Sequence, residues 1–207
     1  YIMTNKEFID KLETHRNNSH LLLEGDGGFN IKRGMGHTMS GYVEDLFALF
    51  IAKKVNNINL KFLVDKVTSI RFNEDEKAKS FKPDLSIIEN EIMTHYFDLK
   101  TNMGWNREFE QYLKQKNDFI ESLRGKTAWI NYSENNVQDI EISKKIIYQM
   151  VVVYGWNINK EILTRNLSLC QEYKNVQVHV LYQKNIENDL FEISNLAFEN
   201  IFNSLKL

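Results

Sequence analysis

The chain has 207 residues, 43% of them hydrophobic and 12% aromatic, which is enough apolar content to bury a full core and excludes intrinsic disorder. With 26 Lys+Arg against 28 Asp+Glu the formal net charge is -2, so no global basic field is present and any nucleic-acid binding has to be local. The single cysteine, Cys170, excludes a disulfide framework and a cysteine-rich zinc site, and its unpaired thiol fits a reducing, cytoplasmic compartment.

The longest apolar run, residues 150–154, is far short of the roughly 20 residues that span a bilayer, so no membrane association is expected. The opening residues lack both a basic start and a long apolar stretch, so no signal peptide is expected either. Gly and Pro are scarce and clustered: six of the nine glycines fall between Gly25 and Gly41, and Pro83 is the only proline. Repeats, low-complexity tracts and Pro- or Ser-rich linkers are absent, which predicts one domain over residues 1–207.

In chain order, the pattern predicts a helix over 6–17, then the Gly-rich segment. A second helix follows, capped by Thr38 or Ser40, with Val43, Leu46, Phe47, Phe50 and Ile51 at the spacing of a core-facing stripe. Strands are expected over 60–72, 84–89 and 95–100, then a helix over 108–123 closed by Gly125. Buried strands are expected over 146–154 and 176–182, with a helix over 159–172 between them and a last helix over 190–205. Residues 127–141 fit no single element, although 128–132 has the composition of an extra strand. The order is α/β, with an antiparallel start and a crossover to a later strand.

The chemistry is concentrated in the second and third strands. Treated as a hairpin turning about Glu91, they place Asp84 opposite Asp98 and Ser86 opposite Tyr96. One face then carries Asp84, Ser86, Tyr96, Asp98 and Lys100, and the other carries Leu85, Ile87, Phe97 and Leu99. The apolar face is expected to be the core side. Two adjacent carboxylates repel, and a divalent cation with oxygen ligands removes that penalty. Lys100, on the same face, is placed to orient or deprotonate a water, or to stabilise charge on a phosphorus centre. Read alone, Asp98 and Lys100 also suit an exposed ion pair worth under about 1 kcal/mol.

Pro83-Asp84, thirteen residues, then Asp98-Leu99-Lys100 resembles the signature of the PD-(D/E)XK nuclease superfamily, and the element order over about residues 38–154 is similar to that family's core. Glu44, on the preceding helix, matches the extra glutamate that the family often adds to its metal site; Asp45 is its neighbour and rival. The resemblance implies a restriction-endonuclease-like core over about residues 38–183, a central mixed sheet of about five strands flanked by helices. It also implies a Mg²⁺-dependent endodeoxyribonuclease, with Mn²⁺ able to substitute, held by Asp84, Asp98, the Leu99 carbonyl and Glu44. Lys100 would assist the attacking water. Type II restriction endonucleases are the group most resembled, which implies a homodimer on double-stranded DNA in a bacterial or phage-like setting. A Holliday-junction resolvase-like or repair nuclease, and a non-cleaving nucleic-acid-binding domain of the same fold, are the alternatives.

Outside the motif, Lys32, Arg33 and His37 in the Gly-rich stretch suit either phosphate contacts near the second helix or a surface loop. Asn102, Trp105, Asn106 and Arg107, which follow the active strand, can reach base edges or stack; Trp105 and Arg107 also suit a packed helix start and a solvated cation.

Overall fold

The computed structural model describes residues 2–24, 39–102, 108–133, 136–155, 160–184 and 190–205. Helix α1 (Asn5–Glu24) opens with a capping box: the Glu7 amide donates to Thr4 Oγ1 at 3.2 Å, and Glu7 Oε2 accepts from the Thr4 amide at 2.7 Å. Helix α2 (Ser40–Val55) buries Val43, Leu46, Phe47, Phe50 and Ile51, the stripe expected of it. Ser40 is already helical and Met39 occupies the cap position without a side-chain bond, so Ser40 is not the cap; Thr38 lies outside the described residues.

The strands are β1 (Leu60–Val64), β2 (Thr68–Ile70), β3 (Lys79–Phe81), β4 (Leu85–Glu89) and β5 (Ile92–Asn102). After helix α3 (Phe109–Leu123) come β6 (Thr127–Ser133), β7 (Asn136–Ile142) and β8 (Tyr148–Tyr154). Helix α4 (Lys160–Cys170), β9 (Val176–Lys184), β10 (Phe191–Ile193) and helix α5 (Asn195–Ser204) complete the chain.

Among the described residues all ten strands join one mixed sheet, twice the number expected. Its central run is β1-β4-β5-β8-β9-β10, in which β5, β8 and β9 are parallel and the other neighbours antiparallel. A second, antiparallel run, β7-β6-β2-β3, attaches where β7 pairs with the first residues of β5. The expected single strand over 60–72 is broken at Asp65, whose φ of 53° turns the chain so that β1 pairs with β4 and β2 with β6. The expected last helix is divided: β10 comes first, and Ser194 then caps α5 by accepting from the Ala197 amide at 3.3 Å.

Both faces of the sheet are covered, which corrects the expectation of one core face. Phe97, Leu99, Val151 and Val153 pack against Phe8 of α1, Phe47 and Phe50 of α2 and Phe198 of α5. Tyr96, Tyr148, Met150 and Val152 pack against Leu113 and Ile120 of α3 and Cys170 at the end of α4, with Ile130, Ile140 and Ile142 of the second run joining them. Every residue of β8 is buried, as a parallel strand covered on two sides requires. The polar hairpin face therefore lies under α3 rather than in open solvent.

Candidate active site

The hairpin β4–β5 holds the register that sets Asp84 against Asp98. Asn90 and Glu91, at φ 47° and 65°, form a two-residue turn between Glu89 and Ile92. A turn this tight, continued without a break, would place Asp84 opposite Phe97 and put the two aspartates on opposite faces. A bulge prevents this: Ile88 pairs with Met93 but Ile87 with His95, and the extra residue, Thr94, donates from its hydroxyl to the Ile87 carbonyl at 3.1 Å. Beyond it Ser86 pairs with Tyr96 and Leu85 with Phe97, and the Asp84 amide donates to the Phe97 carbonyl at 3.1 Å.

Asp84 follows buried Pro83, whose ring fixes φ and biases the preceding residue to extended backbone. Its carbonyl accepts from the Asp65 amide at 3.1 Å, and its Oδ2 accepts from the Leu99 amide at 2.6 Å. Burial raises its pKa, as does its hydrogen bond to Asp98, and together they push the carboxyl up to about 7.

Asp98 keeps its charge. Burial opposes ionisation, but the Lys100 ammonium and hydrogen bonds from Asp84, Lys100 and Tyr148 outweigh it and hold the carboxyl below its ordinary value. Lys100 Nζ donates to Oδ1 at 2.6 Å, while the hydroxyl of Tyr112, on α3, donates to Oδ2 at 2.9 Å and that of Tyr148, on β8, donates to the same oxygen.

The other side of Asp84 is a carboxylate cluster. Glu44, one turn into α2, and Asp65, just past β1, meet Asp84 with one oxygen from each residue within 4.8 Å of the others. Burial raises the Glu44 pKa, and the charge of Asp65 raises it further. Lys82 Nζ, 2.5 Å from Asp65 Oδ1, offsets part of this negative charge. Three converging carboxylates suit a hard divalent cation, whose oxygen ligands and double charge remove their mutual repulsion.

Of the expected metal ligands, Asp84 and Glu44 are in this cluster. Asp98 is not: it adjoins Asp84, but its oxygens accept from Lys100, Tyr112 and Tyr148. Leu99 contributes its amide, to Asp84. Asp45 is exposed, whereas Glu44 is half-buried and faces the cluster. Asn102 ends β5, paired with Tyr154 at the same end of the sheet. Lys32, Arg33, His37, Trp105, Asn106 and Arg107 lie outside the described residues. Sequence reasoning missed Asp65, Tyr112 and Tyr148. Asp65 carries no local signal, because only the β1–β4 pairing brings it to Asp84. Tyr112 could have been suspected from its place on the helix after the active strand.

Comparison with protein families, with curated proteins and with solved structures finds no match to this chain.

Proposed function

We propose that the protein is a divalent-metal-dependent endonuclease that hydrolyses phosphodiester bonds in DNA. The observation that carries this reading is the position of Asp84, between the Glu44–Asp65 carboxylates on one side and the Asp98–Lys100 pair on the other. Glu44, Asp65 and Asp84 would hold Mg²⁺, which when bound supplies Lewis acidity at the phosphate and lowers the pKa of a coordinated water. Asp98 fixes the Lys100 ammonium, and its own charge is stabilised by the two tyrosine hydroxyls. So held, Lys100 orients the attacking water and counters negative charge as it builds on the phosphoryl oxygens. Within this class, a type II restriction endonuclease acting as a homodimer on duplex DNA, in a cytoplasmic setting, is the narrower proposal.

Incubation with unmethylated phage-sized DNA and Mg²⁺ tests it, with EDTA and Asp84→Ala as controls. Discrete fragments support the restriction reading, a smear supports a nuclease without sequence preference, and cleavage confined to branched junctions supports a resolvase. No cleavage under any of these conditions overturns the nuclease reading.

A further inference from the structure

Helix α3 turns a second side chain toward Asp98. Lys116 follows Tyr112 by four residues and so shares its helix face. Its ammonium lies 5.2 Å from the Tyr112 ring centroid and 5.1 Å from that of Tyr148, the two rings whose hydroxyls hold Asp98. The site thus has three described ammonium groups in different states. Lys82 is paired with Asp65 and Lys100 with Asp98. Among the described residues no carboxylate is within ion-pair distance of Lys116.

That arrangement is electrostatically incomplete. Burial works against the Lys116 charge and lowers its pKa, with Asp98 and Asp84 offsetting part of the effect. Contact with aromatic faces returns only part of that cost for a group still partly in water. Position matters as well as charge. Glu44 stands on α2 and Lys116 on α3, helices that pack against opposite faces of the sheet, so the lysine reaches the Asp98 side of the site from the face away from Glu44.

We infer that Lys116 binds a backbone phosphate of the substrate, adjacent to the one at the carboxylate cluster, and so makes the Tyr112–Tyr148–Lys116 group a phosphate subsite. The identity of the polyanion rests on the nuclease reading above. An ammonium on two aromatic faces has three N–H donors for non-bridging phosphate oxygens, and its desolvation is compensated when the anion arrives.

The test is duplex binding by fluorescence anisotropy over a range of salt, with Ca²⁺ present, for the parent, Lys116→Met and Lys116→Arg. Lys116→Met keeps the stem packed on both rings and removes the charge; Lys116→Gln is read the same way should the Met variant lose its fold. The uncharged variant should bind several-fold more weakly, and its slope of log K against log salt should be shallower by about 0.9, with Lys116→Arg restoring it. Thermal stability without DNA should be no lower than the parent's, and Ca²⁺ affinity should match it. A purely structural lysine would lower the stability and leave the slope alone, and an unchanged slope in a folded uncharged variant overturns the inference. If the slope shifts as expected but Mg²⁺ supports no cleavage, the phosphate subsite stands and the nuclease reading falls. A parent that binds no duplex at any salt overturns both.

Discussion

Asp84 is the residue on which the site turns, because its protonation and its service as a ligand exclude each other. With its carboxyl pushed up to about 7, a cation has to displace a proton to use it. Cation affinity should therefore rise with pH up to about 7 and level off above it; calorimetry in two buffers of different ionisation enthalpy would show proton release in the acid range only. Stability of the metal-free protein has the opposite slope. The folded state holds its proton more tightly than the unfolded chain, whose carboxyl titrates near 3.8, so this contribution is complete below that pH and is lost as pH rises through about 7. Asp84→Asn should then stabilise the metal-free protein at pH 8 by roughly 1 kcal/mol, less than the full shift implies because the carboxyl keeps some solvent contact, and should flatten the thermal-unfolding profile over that range. A second residue-scale prediction separates ligands from neighbours. Asp65→Ala should weaken cation binding by at least about tenfold, and by more than Asp98→Asn, while Lys100→Ala should leave cation binding intact and reduce single-turnover cleavage by about 10²–10⁴-fold.

At the scale of elements, the hairpin shows how local backbone choices decide which side chains meet. Alternation in 84–89 and 95–100 was legible in the sequence, and so was the pairing of Ser86 with Tyr96. What the sequence did not disclose is that a tighter turn and a bulge at Thr94 together produce that register. Their effects cancel beyond Ile87, which is why a simple wider turn about Glu91 predicts the same facing pairs. Deleting Thr94 should shift β4 by one residue against the carboxyl half of β5, send Asp84 and Asp98 to opposite faces and abolish cation binding, read by calorimetry on the folded fraction. Glu91 offers the converse test. It holds φ 65° at a position that suits glycine in a two-residue turn, so Glu91→Gly should raise the unfolding temperature, by about 0.5–1 kcal/mol of stability less whatever its exposed contact with Gln138 contributes. Helix α3 was recognised from its periodicity, but which neighbour its Tyr112 face covers was not, because periodicity identifies an amphipathic face without naming its partner.

For the whole molecule, the candidate site is where elements distant in the chain converge: α2 brings Glu44, the end of β1 brings Asp65, β4 and β5 bring Asp84, Asp98 and Lys100, and β8 brings Tyr148. A cation held by that convergence would bind the folded chain and not the unfolded one. Saturating Mg²⁺ should therefore raise the unfolding temperature, by about 2.7 kcal/mol of stability at a hundredfold excess over Kd, and the rise should vanish in Asp84→Ala. By itself the sequence determined the α/β class, the two-faced hairpin, the core stripe of α2 and the grouping of Asp84, Asp98 and Lys100, since each follows from periods of 2.0 or 3.6 within a short segment. Tertiary structure alone decided that ten described strands share one sheet, that the hairpin's polar face is covered, and that among the described residues Asp65 rather than Asp98 completes the carboxylate cluster. The short outer strands are defined by their partners' hydrogen bonds and not by their own composition. A candidate ligand supplied by a residue at positive φ between two strands is in place only once those strands have paired.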